Sequence, residues 1–337
     1  MKLVSIIVLN WNRKQLLKRC IDSLRAQTYS ACEIILVDNG SQDGSAAYIR
    51  ENFTDVRLIE NEKNLGFCGG NNVGIRHSKG DYIALMNNDA VMDPNCVAEM
   101  VKTIERNKNI GAVATKILLE DKPTHLDAAG IGICLDGLSI GRGRMEESSL
   151  YEEEAEVFFV SDCVSLYRRE MIDDIGLYDE DFFAYAEETD LGWRARLKGW
   201  KTIYNPRAIA THSHSSTLGA YSPFKVFLVE RNRVWVAVKN LPASYLIKGL
   251  GYTFSRYFYQ ACSVFTGKGA AGEFVKTMPK WQLAWILIKA IAAACAGIPK
   301  MLVKRREILS TRRISNADIK HLFDLFGFSA KEIAFKC

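Results

Sequence analysis

Short apolar runs alternate with segments of helical spacing through the first third of the chain. Apolar residues recur every three or four positions from Leu16 to Leu24, which is the spacing of one helix face. The runs between such segments are rich in Ile, Leu and Val and end in polar residues, as buried strands do: 5–10, 32–38, 56–61 and 82–87. This alternation predicts an α/β fold with a mostly parallel sheet covered by helices on both faces.

Polar clusters follow three of these runs where each strand should end. They read LNWN from Leu9, VDNGSQDGS from Val37 and MNNDA from Met86. Any one of them could be an ordinary turn, because Asn, Asp, Ser and Gly are common turn residues. In proteins with a parallel sheet, however, ligands bind beyond the carboxyl ends of the strands. Three clusters at one such edge therefore predict a binding site.

A glycine-rich segment, NLGFCGGNNVGI at 64–75, precedes the last of these strands. Its glycines do not have the G-x-G-x-x-G spacing, and the chain contains no G-x-x-x-x-G-K-[ST] motif. Both absences argue against a dehydrogenase or a P-loop enzyme. We interpret the segment as a flexible, amide-rich loop that opens a helix and lets the backbone approach a ligand.

The charge of the chain is unevenly distributed. The net charge is +5, but residues 219–337 carry 19 Lys and Arg against 6 acids, which leaves 25 against 33 for residues 1–218. With 337 residues, 48% of them hydrophobic, the chain can form one large domain and an appendage. We predict an α/β catalytic domain over 1–220 and a basic, apolar helical region over 221–337.

The basic region contains two long apolar and aromatic segments, 245–265 and 281–302. The second is almost long enough to span a membrane, but Lys289 interrupts it and Pro299 is expected to end it. We predict helices that lie in the membrane interface, with the basic residues beside them on anionic headgroups. The alternative is that these helices cover the catalytic domain or form a homodimer.

The cysteines and the N-terminus indicate a cytoplasmic protein. Nine cysteines occur without any CxxC pair, which argues against a disulfide framework or a zinc ribbon. The apolar run at 3–9 is short and lacks a small-residue cleavage site, so we assign it to the first strand rather than to a signal peptide. The expected location is the cytoplasm, peripherally associated with the inner face of the cell membrane.

Six motifs occur in a consistent order over about residues 3 to 240: SIIVLNWN, VDNGSQDGS, NLGFCGGNNVGI, GDYIALMNNDAVMDP, FFAYAEETDLGWRARLKGW and NPRAIATHSH. In this order they resemble the family 2 glycosyltransferases. The resemblance implies the GT-A fold, a Rossmann-like, mostly parallel sheet flanked by helices. The segments NLGFCGGNN and DLGWRARLKGW are similar to the rhamnosyltransferase-like branch, which builds bacterial surface polysaccharides.

The resemblance implies a nucleotide diphosphate sugar donor and a divalent metal. Mg²⁺ or Mn²⁺ is often held by one or two carboxylates plus phosphates, and it neutralises the charge of the leaving diphosphate. Asp89 matches the last position of the family's DxD-like motif, which reads NND here and so has fewer negative ligands. His212 matches a third metal contact, and His214 follows it in an H-x-H pair. Asp93 is expected to cap the next helix instead.

The resemblance also implies a set of nucleotide-binding residues. Asp38 matches the residue that accepts a hydrogen bond from the imide N–H of a uracil or thymine ring. Asn10 and Asn12 follow the neighbouring strand and are expected to line the nucleoside. The other candidates are amides of the same strand ends and loops: Asn39, Asn64, Asn72 and Asn88.

The segment AEETDLGW contains the expected catalytic base. Glu188 holds the position at which the family's carboxylate takes the proton from the acceptor hydroxyl, while that oxygen attacks the anomeric carbon with inversion. Glu187 is the adjacent candidate. Acids are also favoured at helix N-termini by the helix dipole, which would explain one or two of the three acids between Glu187 and Asp190.

The leading prediction is an inverting, metal-dependent glycosyltransferase that moves a sugar, with rhamnose as the candidate, to a glycan or polyprenyl-diphosphate-linked acceptor. Two alternatives stay open. A nucleotidyltransferase acting on a sugar phosphate usually has a glycine-rich loop after its first strand, and LNWNRK has none. A non-catalytic membrane adaptor that binds sugar nucleotides would need no acid at position 188. No nucleic-acid partner is expected, because no recognised module occurs.

Overall fold

The computed structural model describes residues 1–213, 222–266 and 279–335. The chain divides into two compact units. The N-terminal unit comprises Met1–Ile131, Gly141–Ala195 and Trp200–Thr217, and the C-terminal unit comprises Gly132–Ile140, Arg196–Gly199 and Leu218–Cys337. The domain boundary expected at residue 220 lies outside the described residues and stays a prediction.

Strands and helices alternate up to residue 105, and strands predominate from there to residue 168. The strands are β1 (Val4–Asn10), β2 (Cys32–Asp38), β3 (Arg57–Glu60), β4 (Tyr82–Asn87), β5 (Ala90–Met92), β6 (Ile110–Leu119), β7 (Leu126–Ala128), β8 (Ile131–Ile133), β9 (Ser139–Gly141), β10 (Ala155–Val157), β11 (Val164–Arg168) and β12 (Lys201–His212). The helices that accompany them are α1 (Lys14–Arg25), α2 (Ser45–Asn52), α3 (Gly66–His77), α4 (Cys96–Glu105), α5 (Arg169–Ile175) and α6 (Glu187–Leu197).

Ten of the described strands form one sheet, and β8 pairs separately with β9. The main path runs β10-β12-β6-β11-β4-β1-β2-β3, with β5 and β7 attached to β12 and β6. Strands β4, β1, β2 and β3 are parallel to one another, as are β6 and β12, and β11 runs antiparallel between β4 and β6. The side chains of β1 are almost all buried, as expected where helices cover both faces. The predicted α/β class with a mostly parallel sheet is confirmed.

Most of the glycine-rich segment is helical, because α3 begins at Gly66, so the flexible loop that we predicted to open this helix does not extend past Leu65. A Cβ atom at Gly74 would lie 2.4 Å from Cγ2 of Ile7, and a Cβ atom at Gly70 would lie 2.4 Å from Cδ1 of Leu9. The glycines therefore allow α3 to pack closely on β1. This packing outweighs the poor helix propensity of glycine, which costs about 1 kcal/mol per residue.

The pairing of the strands brings the predicted polar residues to one edge of the sheet. Asn10, the last residue of β1, is paired with Asp38, the last residue of β2. Strand β4 lies on the other side of β1 and ends at Asn87. The antiparallel pairing of β5 with β12 places His212 opposite Ala90. The hydrogen-bond register thus fixes which of these residues are neighbours.

The described part of the C-terminal unit is mainly helical. Its helices are α7 (Pro223–Asn240), α8 (Ala243–Thr266), α9 (Lys280–Ser310), α10 (Asn316–Phe326) and α11 (Ala330–Phe335). The N-terminus of α7 is capped by the Ser222 side chain and has proline at its first position, and α10 begins with a capping box of Ser315 and Asp318. Helix α9 packs on α7, and α11 packs on α8.

Helix α9 continues through Pro299, which we expected to end it. Close packing on α7 provides a physical reason, because a Cβ atom at Gly297 would lie 2.5 Å from Cζ2 of Trp235, and Trp235 Nε1 donates to the Ala294 carbonyl at 3.0 Å. These contacts offset the hydrogen bond that proline cannot make. Among the described helices, α9 alone is long and apolar enough to cross a membrane by length and composition, and only 17% of its most apolar window is buried.

Candidate active site

Asn10, Asp38 and Asn88 form a buried, hydrogen-bonded row where β1, β2 and β4 end. Asn10 Nδ2 donates to Asp38 Oδ1 at 3.0 Å, and Asn10 Oδ1 accepts from Asn88 Nδ2 at 2.8 Å. The second carboxylate oxygen of Asp38 accepts from the backbone N–H of Ser41 at 2.9 Å. Three of the predicted nucleotide-binding residues are therefore brought together, and the orientation of the Asp38 carboxylate is fixed.

Asn12, Asn39 and Asn64 order the loops beside this row. Asn12 Oδ1 accepts from the backbone N–H of Gln42 at 2.7 Å. Asn39 Nδ2 donates to Asn64 Oδ1 at 2.9 Å, and Asn64 Oδ1 also accepts from the N–H of Gly66 at 2.8 Å. These amides join the loop after β2 to the start of α3. Their contact with a nucleotide stays a prediction.

Asn72 forms its hydrogen bonds with the segment before α6 rather than with the row of Asn10. It is 1% exposed, and its Nδ2 donates to the Tyr178 carbonyl and to Glu180 Oε1, both at 2.9 Å. Its Oδ1 accepts from the backbone N–H of Tyr178 at 3.0 Å. The structure therefore gives Asn72 the role of joining α3 to the segment before α6, and does not bond it to the row of Asn10.

Asp89, His212 and Asp127 form a second cluster. His212 Nε2 lies 3.1 Å from Asp89 Oδ1, and His212 Nδ1 lies 2.8 Å from Asp127 Oδ2. Arg144 forms an ion pair with Asp127. The imidazole is therefore held between two carboxylates. His214, the other histidine of the pair, lies outside the described residues.

The donor set of this cluster fits a divalent cation. Burial alone lowers the pKa of His212, but Cys163, Asp127 and Asp89 raise that pKa well above its ordinary value, so the imidazole carries a proton between the carboxylates. A cation that replaced that proton would be bound by His212 Nε2 and by the Asp89 carboxylate. Asp127 would still orient the imidazole ring through its contact with Nδ1. Imidazole with carboxylate oxygen suits Mn²⁺ better than Ca²⁺.

Asp162, Glu187 and Glu188 form a third cluster, in which one carboxylate oxygen of each lies within 4.8 Å of the others. Burial and then the charge of Asp162 raise the pKa of Glu188 to about 7, and burial and then the charge of Glu188 raise the pKa of Glu187 well above its ordinary value. Carboxyl groups this close offset their repulsion by holding protons or a cation. Glu188 can therefore exchange a proton near neutral pH, as a general base must.

The backbone that leads into the acid pair is strained. Phe183, Tyr185 and Ala186 have φ values of 66°, 68° and 66°, a region that costs residues other than glycine about 1 kcal/mol or more each. The carbonyl of Phe183 accepts from the N–H of Cys68 at 3.1 Å, so α3 anchors this turn. The turn places the acid pair in the first turn of α6.

Two adjacent residues connect the second and third clusters. Asp162 belongs to the acid cluster, and Cys163 lies close enough to His212 for each side chain to shift the pKa of the other. The Cys163 carbonyl also accepts from the N–H of Asn87 at 2.9 Å. The cluster of Asp89 and His212 and the acid cluster therefore each lie next to one residue of the same dipeptide. Burial raises the pKa of the Cys163 thiol, which argues against a role of this cysteine as a nucleophile.

The family model of Glycosyl transferase family 2 matches residues 5–176, just over half of the chain. The chain belongs to this family. The matched region contains the row of Asn10, the carboxylates Asp89 and Asp127, and Asp162 of the acid cluster. His212 and the acid pair follow it in the chain.

Relatives in this family include proteins of polysaccharide synthesis. The chain is 28% identical over 226 residues to the O-antigen biosynthesis protein RfbC of Myxococcus xanthus, and 23% identical over 218 residues to the poly-beta-1,6-N-acetyl-D-glucosamine synthase of Staphylococcus epidermidis. Each alignment covers 64% of this chain. The chain accounts for 17% of the length of RfbC and 51% of the length of the synthase.

One solved structure with the same fold is the mannosyltransferase PcManGT from Pyrobaculum calidifontis, in complex with GDP-Man and Mn²⁺. The TM-score is 0.50 at 17% sequence identity, and the alignment covers 99% of this chain and 85% of the mannosyltransferase. At this identity the similarity shows the fold. The predicted GT-A fold of this family 2 glycosyltransferase is therefore confirmed.

Two residues of the site were not predicted from the sequence. Asp162 stands inside the apolar segment FFVSDCVSLY, and a lone acid in a buried run is a signal that could have identified it. Asp127 has no such local signal. It meets His212 because β7 pairs with β6 and β6 pairs with β12, a contact that spans 85 residues of sequence.

Proposed function

We propose that the chain is an inverting, metal-assisted glycosyltransferase, which transfers a sugar from a nucleotide diphosphate donor to a glycan or polyprenyl-diphosphate-linked acceptor in surface polysaccharide synthesis. Rhamnose is the donor sugar to be tested first, because the motifs resemble that branch of the family. The observation that carries the proposal is the dipeptide of Asp162 and Cys163, which connects the acid cluster of Glu188 to the cluster of Asp89 and His212.

The relatives support this assignment. RfbC is named for O-antigen biosynthesis and the synthase for a polysaccharide, and PcManGT was solved with a nucleotide sugar and Mn²⁺. These names motivate the donor class and the metal for this chain. The strand-end row of Asn10, Asp38 and Asn88 supplies the polar groups that a nucleoside needs.

The residues of the site divide the reaction between them. Asp38 and the amides beside it orient the base and ribose of the donor. Asp89 and His212 would hold a divalent cation, which stabilises the charge of the departing diphosphate. Glu188 takes the proton of the acceptor hydroxyl as the acceptor oxygen bonds to the anomeric carbon and the bond from that carbon to the phosphate oxygen breaks. The proton remains on Glu188, and the diphosphate leaves with the bonding electrons.

Screening nucleotide sugars by thermal unfolding tests the proposed function. A ligand at 100 times its dissociation constant stabilises the folded state by about 2.7 kcal/mol, so the correct donor should raise the midpoint measurably. We expect a uridine or thymidine diphosphate sugar to do so with Mn²⁺ and much less with a chelator, and release of nucleoside diphosphate should follow when acceptor is added.

Two results of this screen would contradict the proposal. Stabilisation by nucleoside triphosphates together with a sugar phosphate, and formation of a nucleotide sugar, would identify a nucleotidyltransferase. Donor binding with no release of nucleoside diphosphate against any glycan or lipid-linked acceptor would identify a non-catalytic adaptor.

Exposed apolar faces on α8 and α9 support membrane association. On α8, Ile247, Leu250, Phe254 and Phe258 recur at helical spacing and are each more than 60% exposed. On α9, Trp281, Trp285 and Ile288 are each more than 50% exposed. Helices with such faces lie in the headgroup region of a bilayer.

Basic residues accompany these faces. Lys289 Nζ lies 5.4 Å from the ring centroid of Trp285, and further exposed cations near the end of α9 are Lys300, Arg306 and Arg313. Each basic residue near an anionic leaflet contributes about 1 kcal/mol to binding. We propose that this region binds the inner, anionic face of the cell membrane, where lipid-linked acceptors lie.

Vesicle flotation tests the membrane proposal. The protein should float with vesicles that contain anionic phospholipid and bind less to neutral vesicles or at high salt. Replacing Trp281 and Trp285 together by Ala should weaken binding roughly tenfold or more, because each large apolar side chain contributes about 1.5–3 kcal/mol on burial. Leu150→Ala is the control, because Leu150 is 71% exposed in the N-terminal unit. Equal recovery of all three proteins from the vesicle-free fraction would contradict the proposal.

A further inference from the structure

We propose that Asp162 is a positioning residue for the transfer reaction, whose fixed carboxylate beside Glu188 makes that side chain a stronger base toward the acceptor hydroxyl. The inference rests on the proposed function of Glu188 and adds a second acid to it. Asp162 is not one of the two acids on α6. It lies next to Cys163, just before β11, and one of its carboxylate oxygens lies within 4.8 Å of an oxygen of each of those acids.

The Asp162 carboxyl group is clamped by two tyrosine hydroxyls. The hydroxyl of Tyr167, on β11, donates to Asp162 Oδ1, and the hydroxyl of Tyr178 donates to Oδ2 at 2.8 Å. The two hydroxyls lie 3.2 Å apart. The backbone of Tyr178 is held in turn by the Asn72 amide. Each carboxylate oxygen thus accepts a hydrogen bond, which stabilises the charged form of Asp162.

Among the residues that the structure describes, the charge of Asp162 has no cationic partner. No Lys or Arg within the described part of the chain pairs with Asp162, Glu187 or Glu188. Arg194, one helical turn after Asp190 on α6, pairs with Asp190 and with carbonyls at the end of α5. The other titratable groups around the cluster are acids, phenols and a thiol: Tyr167, Tyr178, Tyr185, Cys68, Asp179 and Asp190.

This arrangement divides the roles of the three acids. Burial raises the pKa of Asp162 to about 6, since the tyrosine hydroxyls limit the shift, so the group is largely ionised at neutral pH. The pKa of Glu188 is raised to about 7; burial is the largest cause of this shift, and the charge of Asp162 is the next. Glu187 has one carboxylate oxygen that is buried and without a hydrogen-bond partner among the described residues, and burial and then the charge of Glu188 raise its pKa well above the ordinary value. The charge of Asp162 therefore favours the protonated Glu188 that the reaction produces.

The pH dependence of kcat/KM tests the inference. Wild-type activity should fall as pH decreases through about 7, because Glu188 must be ionised to accept a proton. In Asp162→Asn this acid limb should move to lower pH by about one unit and the plateau should fall roughly threefold to tenfold, because the base loses strength. Asp162→Glu keeps the charge, so it should partly restore both the pH of the acid limb and the height of the plateau. Asp173→Asn, an exposed acid of α5, is the control.

A lower plateau with an unmoved acid limb in Asp162→Asn would overturn the inference, since it would indicate a purely structural role. Loss of Mn²⁺ binding in that variant would also overturn it, because Asp162 would then belong to the cation site. Failure of the proposed function itself is distinguishable, because in that case the wild-type protein transfers no sugar at any pH.

A titration without substrate covers the case in which Asp162→Asn transfers too slowly to be assayed. In protein labelled with ¹³C at the glutamate carboxyl groups, the Glu188 resonance is assigned by its loss in Glu188→Gln. Its midpoint should lie near 7 in the wild-type protein and about one unit lower in Asp162→Asn. Equal midpoints in the two proteins would overturn the inference. Circular dichroism establishes that both variants are folded.

Discussion

Glu188→Gln is expected to lower turnover by about 10² to 10⁴, the usual contribution of a general base. The amide has nearly the shape of the carboxyl group but cannot accept the proton of the acceptor hydroxyl. Donor binding should stay close to that of the wild-type protein, because the row of Asn10, Asp38 and Asn88 is untouched. The measurement is the release of nucleoside diphosphate in the presence of acceptor, together with donor affinity by calorimetry.

A matched control for this change is Glu153→Gln, which makes the same substitution at an exposed glutamate of the N-terminal unit. It should leave both turnover and donor affinity unchanged. Near-normal turnover in Glu188→Gln would show that another group takes the proton, and Glu187→Gln would then be the next variant to measure. Loss of donor affinity together with turnover would instead assign Glu188 to donor binding.

Asp89→Asn is expected to abolish metal-dependent donor binding. The substitution removes the carboxylate that faces His212 Nε2 and leaves a neutral amide in its place. Loss of an outer partner of a metal ligand already costs about 10-fold to 100-fold in metal affinity, so loss of the ligand itself should cost at least about 100-fold. The measurement is the binding of Mn²⁺, by electron paramagnetic resonance of the free ion, with and without nucleoside diphosphate.

Asp93→Asn separates the role of Asp89 from general effects at the same strand end. Asp93 Oδ1 accepts from the backbone N–H of Asn95 at 3.0 Å in the turn before α4, and Asn can make the same hydrogen bond. The N-cap of α4 is Asn95 rather than Asp93, so the predicted capping role of Asp93 is wrong. This control should bind Mn²⁺ and donor normally. Retention of Mn²⁺ binding in Asp89→Asn would exclude the cluster of Asp89 and His212 as the metal site and direct attention to the acid cluster.

The strands of the catalytic fold could be predicted from the sequence because their signals are local. An uninterrupted run of Ile, Leu and Val between polar turns buries both faces of a strand wherever it lies in the sheet. The predicted strand at 5–10 is β1, and its last residue, Asn10, does meet Asp38. The convergence of the two required only that neighbouring parallel strands end at the same edge.

Two local rules failed, both where tertiary contacts oppose them. The glycines of α3 predict a loop, yet Gly70 and Gly74 lie in a helix because their small size allows contact with β1. Pro299 predicts a helix end, yet α9 passes through it while packed on α7. Propensities of about 1 to 3 kcal/mol per residue are within the range that close packing overcomes.

The sequence by itself determined the α/β class, the edge of the sheet at which Asn10, Asp38 and Asn88 meet, and the acid pair that opens α6. These features follow from periodicity, strand ends and motif order, all of which are written along the chain. Only the tertiary structure decided that Asp127 holds His212 and that Asp162 lies beside Glu188. Those contacts depend on pairing and packing between distant segments, and the pKa of a buried acid depends on which groups that packing brings near it.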